Sequence, residues 1–464
     1  MNKHQGIALF VLLLAGFVTI FDLFVVNVAI VSIEKSLNAS LTELTLIIVG
    51  YELAFGLLLI TGGRLGDIFG KKTLYQAGML FFILSSVLCA LAPTAMLLVI
   101  ARFIQGLSSA ILFPQVYSSI RINFDQQQAK KAFGYLGMML GLAAIAGQAF
   151  GGWLITLNLF GLSWRTIFLI NIPIGTLAIA LSHYLSEGDK IKVNLDWVGV
   201  ILSSSGIGVT LLPFLMLPIW GWTLSSSSIL IIGLLLIALF VYYEIKLEQK
   251  RKVPLLSIRI LNNRPFVIGL FIVMCVYATS SAFPLLLSIL LQNGLGLTPL
   301  QSGLMFVSAS IGFVISSFIT PSWVNRYGDK VLLCGAVLYG ISYIILMMNI
   351  NVTSSLIHFN ELILILFFIG FTQGMIMTPM LNLVLSTVQV ESAGMASGFT
   401  ATLQQIGAAI GATAALVILQ YKLQHTVSKM TFEQLSNAVS FSLLFNVIMA
   451  LCAAGLLWLL IRLK

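Results

Sequence analysis

The sequence predicts an all-α polytopic membrane protein with two six-helix halves and two extra central transmembrane helices, fourteen in all. Three observations lead there. Of 464 residues, 59% are hydrophobic and 8% charged, with mean hydropathy +1.06. A soluble domain carries about 25% charged residues, so no water-facing shell can be built from this chain. Apolar runs long enough to cross a bilayer recur fourteen times, and at about 22 residues each they consume roughly 308 positions. What remains is too little for a folded soluble domain. Finally, short motifs of the first half return in the second. Together these exclude a cytoplasmic enzyme, a nucleic-acid binder and a secreted protein.

In chain order the expected spans are 7–33, 43–63, 73–92, 95–118, 132–157, 165–185, 197–219, 227–246, 266–291, 301–323, 331–350, 361–384, 394–420 and 437–461. A helix is the open-chain structure that satisfies its own backbone in lipid. The first run, Ile7 to Ile33, is too long for a signal-peptide core and is interrupted by Asp22, so it reads as an uncleaved first helix. Nineteen of the 24 Lys and Arg residues fall on one side of this topology and four on the other, with Arg102 inside a span. That bias places both termini in the cytoplasm. The four cysteines, Cys89, Cys275, Cys334 and Cys452, lie within apolar segments without metal-ligand spacing and read as small hydrophobes. The resulting division is 1–190 for the first six-helix bundle, 191–250 for the extra pair, 251–265 for a cytoplasmic linker and 266–464 for the second bundle.

The repeat is legible in three places. GGRLGDIFGKK (Gly62–Lys72) aligns with PSWVNRYGDK (Pro321–Lys330), so Asp67, Gly70 and Lys72 fall on Asn325, Gly328 and Lys330. Gly134, Gly147 and Gly151 fall on Gly394, Gly407 and Gly411, and Phe-x-Gln-Gly occurs at Phe103–Gly106 and again at Phe371–Gly374. Repeated halves place a substrate site between them near the midplane, the architecture of many secondary transporters.

Three ionisable residues lie deep in spans of the first half. At 1.5 Å per residue, Asp22 sits about 24 Å above the cytoplasmic face, Glu52 about 18 Å and Arg102 about 25 Å. An unpaired charge at such depth costs at least ~2.5–3.5 kcal/mol, so these residues pair or serve transport. Asp22 and Arg102 match best in depth. Desolvation favours a protonated carboxyl and a nearby guanidinium favours the ionised one. Moving the two apart would therefore switch proton affinity, the outline of a proton-coupling device. The alternative is a permanent bridge that only orients helices. Glu52 likewise reads either as a titrating, cation-facing group or as a protonated, hydrogen-bonded core acid.

Helix 5 is dense in small residues at Gly134, Gly137, Gly141, Gly147, Gly151 and Gly152, which permits close helix approach and a pliable helix. In the second half Gln373, Asn382, Gln404 and Gln405 can bond substrate or neighbouring helices, and Met375, Met377 and Met380 can form an adaptable apolar wall. In the tight loop 63–72, Asp67 is expected to latch a neighbouring helix end as part of a gate. No Walker loop, zinc-type histidine pair or nucleophile triad occurs in the sequence, and an ATP-driven pump would need a nucleotide domain.

At these residues the chain resembles the major facilitator superfamily, and within it the fourteen-helix drug:proton antiporter branch. Asp22-Leu-Phe-Val-Val-Asn27-Val-Ala29 resembles the branch's helix-1 motif, with Phe24 and Val31 where Thr and Pro are usual. Gly63, Leu65, Asp67, Gly70, Lys71 and Lys72 match the loop 2–3 gating motif, with Ile68 in place of a basic residue. Arg102, Gln105 and Gly106 match the helix-4 motif, whose Arg the resemblance implicates in proton coupling. Gly134, Gly147, Gly151 and Gly152 resemble the helix-5 antiporter motif, departing at Ala143 and at Gln148, where the family has proline. WRTIFLINIPIG (Trp164–Gly175) and PLLSIRILNNRPF (Pro254–Phe266) are the most branch-specific matches.

The resemblance implies a major facilitator fold and a proton-coupled exporter of amphipathic, cationic drugs or toxic compounds working by alternating access. The alternative is a same-fold carrier for a metabolite, lipid or siderophore. Expected proton-coupling residues are Asp22, Glu52 and Arg102, and the expected substrate cavity contains Asn27, Gln105, Gln148, Gln373, Met377, Gln404 and Gln405. No enzymatic activity, metal or cofactor is expected; the proton gradient supplies the energy. Expected partners are a small amphipathic substrate, protons and the lipid bilayer, with no nucleic acid. The chain is expected to function as a monomer in the bacterial inner (plasma) membrane.

Overall fold

The computed structural model describes residues 3–188, 190, 195–220, 223–250, 258–350, 359–388, 393–423 and 431–463. Among these, fourteen helices are long and apolar enough to cross a membrane. They are α1 Lys3–Leu37, α2 Leu41–Phe69, α3 Lys71–Leu91, α4 Ala95–Asn123, α5 Gln127–Leu157, α6 Ser163–Tyr184, α7 Trp197–Phe214, α8 Leu224–Gln249, α9 Arg264–Gly294, α10 Pro299–Tyr327, α11 Lys330–Ile350, α12 Asn360–Val384, α13 Gly398–Leu423 and α14 Phe432–Leu463. Every expected span is present. Much of the expected cytoplasmic linker 251–265 lies outside the described residues.

Several helices overrun their apolar stretches because local capping, not hydropathy, sets their ends. Ser40 and Glu43 form a capping box at the start of α2, and Thr298 and Gln301 form another at α10. Thr94, Asp125, Thr223 and Asn263 each accept a backbone N–H three residues on. Helix α6 is broken into short turns, with a junction at Ile170. Pro173 explains it: proline supplies no N–H to Leu169 and its ring crowds that carbonyl.

The two halves repeat each other in their close contacts. In lipid, helices associate through packing, so small residues mark where backbones approach. A Cβ placed on Gly147 of α5 would lie 2.9 Å from the Phe21 carbonyl oxygen of α1, and one on Gly407 of α13 would lie 2.6 Å from that of Met274 of α9. One turn on, Gly151 abuts Val25 and Gly411 abuts Ala278. The repeated Phe-x-Gln-Gly behaves likewise, with Gly106 against the Tyr51 carbonyl and Gly374 against that of Phe313.

Across the seam between halves, α2 packs on α13 and α5 on α10. At the end remote from the termini, α1 is tied to α9: Gln292 Nε2, in a π turn, donates to the Val28 carbonyl at 2.9 Å, and Asn293 Nδ2 donates to Glu34 at 3.1 Å. At that same end Gly152 meets Pro299 and Leu300. The extra helices α7 and α8 pack on each other, Gly233 against Thr210 and Gly206 against Ile237. They lean on α2, where Ser204 Oγ donates to the Leu57 carbonyl at 3.3 Å. Their position is peripheral, beside the α2–α13 seam, where Val200 and Phe240 pack with Ile60 and Phe399.

Candidate transport site

The deepest polar cluster belongs to the first half. Asp22 of α1 and Arg102 of α4 form a fully buried ion pair. The other Asp22 oxygen accepts from Gln105 Nε2 at 3.1 Å and from Asn171 Nδ2 at 2.9 Å. Ser86 Oγ accepts from both Gln105 and Asn171, which joins α3 and the break in α6 to the centre. Arg102 is held on every side: Nε donates to the Ile47 carbonyl at 3.2 Å, Nη1 to Gln105 Oε1 at 2.7 Å, and its guanidinium stacks 4.2 Å from the Tyr51 ring. Tyr51 is itself fixed, donating to the Thr19 carbonyl at 3.0 Å and lying 2.8 Å from Ser109 Oγ. A charge pair so clamped cannot shift one partner without re-pairing the others.

From Tyr51 an aromatic chain leads toward the terminus end: Tyr51–Phe55, Phe55–Phe113, Phe113–Tyr117 and Tyr117–Phe133, with ring centroids 6.0, 5.5, 5.3 and 6.0 Å apart. Such spacing offers successive ring faces and edges.

The second half carries a parallel but uncharged cluster on equivalent helices. Thr279 of α9 donates to the Tyr339 hydroxyl of α11 at 3.0 Å, Tyr343 donates to that same oxygen at 2.8 Å, and Asn446 of α14 donates to the Thr279 carbonyl at 3.3 Å.

Glu52 lies apart from the Asp22–Arg102 bonding network. It is buried on α2, where Oε1 accepts from Ser281 Oγ of α9 at 2.7 Å, a side-chain bond spanning the two halves. Glu52 Oε2 has no hydrogen-bond partner among the described residues. One turn further on α2, Gly56 lets the chain of Gln405 come close, its Cβ position 2.9 Å from that of Gln405.

The remaining expected residues divide. Gln373, Met377 and Gln404 are half-buried on second-half helices. Asn27 and Gln405 are buried, each with its side-chain oxygen unpartnered among the described residues. Gln105 was expected in the substrate cavity; it is instead fully buried and consumed by Asp22, Arg102 and Ser86. Gln148, 5% exposed, sits in the α5–α10 seam with its carbonyl against Gly303, because glutamine there keeps the helix that proline would interrupt. Gly147, Gly151 and Gly152 make close approaches, whereas Gly134 has open space around it, so no packing constraint explains that glycine.

The loop 63–72 also departs from expectation. Among the described residues Asp67 pairs with Lys71 at 3.0 Å within its own turn and with no distant helix end. Gly70, at φ +100°, is the single residue joining α2 to α3, a conformation that favours glycine. It supplies no side-chain cap for α3; Glu187 does so from after α6, accepting from Thr73 Oγ1 at 2.9 Å and Thr73 N at 3.4 Å. Lys71 N donates to the Glu187 carbonyl at 3.1 Å. Gly63 lies near Pro114, and Lys72 reaches the His183 carbonyl at 3.5 Å.

Asn171, Ser86, Ser281 and Glu187 were not singled out from sequence. Asn171 had one signal, Pro173 two residues later, which marks a helix break where a side chain can turn inward. Ser281 had none, since its partner lies 229 residues away.

A family model for the Major Facilitator Superfamily matches residues 12–412. The probable actinorhodin transporter of Streptomyces coelicolor is 31% identical over 407 residues, which is 87% of this chain and 70% of that protein. The methylenomycin A resistance protein of Bacillus subtilis is 27% identical, covering 90% of this chain and 88% of that one. Among solved structures, a D-xylose-proton symporter matches with TM-score 0.69 at 14% identity, covering 98% of both chains. So does a bacterial homologue of the lysosomal transporter Spinster, inward-facing and unoccupied, with TM-score 0.69 at 13% identity, covering 100% and 98%. At such identities the structural likeness shows the fold alone.

Proposed function

Because the chain belongs to the Major Facilitator Superfamily, integral membrane transporters and not enzymes, we propose that it is a proton-coupled exporter of amphipathic, cationic compounds. The buried Asp22–Arg102 centre carries the reading. A proton on Asp22 cancels the countercharge of Arg102, whose other bonds are to neutral groups. Arg102 must then find new partners, which favours a different arrangement of α1, α4 and the α6 break. Ligands drive such a cycle only through different affinities for its two states. Two outcomes follow on proton entry at Asp22: substrate is displaced, or the empty carrier is reset.

Export is supported by the relatives whose names state antibiotic transport or resistance. An aromatic, cationic substrate fits the accessible rings of that chain, Phe113, Tyr117 and Phe133, since ring faces attract cations, and it fits the carboxyl of Glu52 at the seam. In this reading the protein acts as a monomer in the bacterial inner membrane with both termini in the cytoplasm and needs no cofactor beyond the proton gradient. Asn27, Gln373, Met377, Gln404 and Gln405 contribute to the substrate cavity.

The test is uptake into proteoliposomes of a fluorescent aromatic cation under an imposed pH gradient. Wild type should accumulate it and dissipate the gradient, and Asp22→Asn should lose both while still binding the dye. Uphill uptake by Asp22→Asn at the wild-type rate overturns the proposal. Transport of a metabolite or siderophore but of no cation supports the alternative carrier instead.

A further inference from the structure

We propose that Glu52 and Ser281 form a proton-operated bolt between the two halves: protonated Glu52 holds the outer end closed, and loss of that proton releases it. The inference rests on the proton-coupled reading above.

The outer end is closed in this structure by Gln292 on Val28, Asn293 on Glu34 and Gly152 against α10. Deeper in the membrane, Ser281 Oγ donates to Glu52 Oε1 at 2.7 Å and joins α9 to α2. The titratable groups in the membrane-spanning parts of the surrounding helices are Arg102 and Tyr117 on α4, Asp22 on α1, Tyr277 and Cys275 on α9, and Tyr75 and Cys89 on α3, with Tyr51 beside Glu52 on α2 itself. Helices α7 and α13 present none over 197–214 and 398–420. Among the described residues Arg102 is the one buried cation, and Asp22, Gln105 and the Ile47 carbonyl already occupy it. An ionised Glu52 would therefore be a buried charge with one hydroxyl donor, which is strongly unfavourable. A neutral carboxylic acid keeps the Ser281 bond without that charge.

The step balances as carboxylate plus a hydrogen ion giving the acid. Water reaching the seam when the outer side is open supplies the proton, and the halves close over the neutral group. By linkage, the state that binds the proton more tightly is favoured by acid. Low pH therefore favours the outer-closed arrangement, and rising pH populates the outer-open one.

The experiment is a spin-label distance measurement on the full purified chain in lipid nanodiscs, without substrate, between pH 5 and pH 9. Labels go on Asn38→Cys and Asn437→Cys, both exposed at the outer end, with Cys334→Ser and Cys452→Ser to remove exposed thiols. The unsubstituted seam should show one short distance at low pH and a growing longer one as pH rises. Glu52→Gln keeps an acceptor for Ser281 and should hold the short distance at every pH. Ser281→Ala should move the transition to lower pH by about one unit, a tenfold weaker hold. A Glu52→Gln profile that follows the parent, or an unshifted Ser281→Ala profile, overturns the bolt. A pH-independent distance in a protein that still performs proton-driven transport overturns the bolt alone. Absence of proton-driven transport in the parent overturns the function proposed above.

Discussion

Alanine at Asp22 isolates the energetics of the buried charge pair. The carboxylate accepts from Arg102, from Gln105 at 3.1 Å and from Asn171 at 2.9 Å. Truncation strands a guanidinium that is 1% exposed, leaving it Gln105, one backbone carbonyl and an aromatic face. Removing one partner of a buried pair costs about 3–5 kcal/mol, while replacing both by apolar groups of similar volume is near neutral or better. Asp22→Ala should therefore melt well below wild type, and Asp22→Ala with Arg102→Met should recover most of the loss. The assay is thermal unfolding of detergent-purified protein followed by tryptophan fluorescence, with the two single variants and the double closing a cycle. The double variant should be stable yet unable to couple transport to protons. The reasoning fails if Asp22→Ala melts with wild type, or if the second substitution recovers nothing.

Two further outcomes follow from local packing. Gly147→Ala drives a methyl group to 2.9 Å from the Phe21 carbonyl and should destabilise by about 1–3 kcal/mol, whereas Gly134→Ala has room and should be neutral or stabilising by up to ~1 kcal/mol. Equal melting shifts for the pair would contradict the close approach of α5 to α1. Glu187→Ala removes the cap of α3 and should cost about 0.5–2 kcal/mol locally. It should appear as faster hydrogen exchange at Thr73 and Leu74, and unchanged exchange there would show that the cap is not needed.

Composition made the bundle legible, because a chain with so few charges leaves its apolar runs nowhere to go but lipid. Helix ends were less legible: Ser40, Thr94 and Asp125 terminate helices by hydrogen bonding, which hydropathy does not register. The Asp22–Arg102 pairing followed from matched depth along two helices, a one-dimensional argument. Gln105 was assigned to the substrate cavity from its place in the helix-4 motif, and a motif does not say which way a side chain faces; it turns into the ion pair. Glu52 and Ser281 meet only once two halves are docked, and no local pattern encodes that. Glu187 illustrates a third gap, in which a helix start lacking its own cap borrows one from a segment more than a hundred residues later.

The neutral cluster of Thr279, Tyr339, Tyr343 and Asn446 has an electrical consequence. A membrane voltage exerts about 2.3 kcal/mol per elementary charge per 100 mV, and only on charge. Among the described residues, the buried Asp, Glu, Lys and Arg side chains of the two bundles are Asp22, Glu52 and Arg102, all on one side of the seam. A proton arriving there changes the net charge of one bundle, and nothing in the other answers it. The field thus pulls on a single arm of the rocker while its partner serves as a dielectric fulcrum.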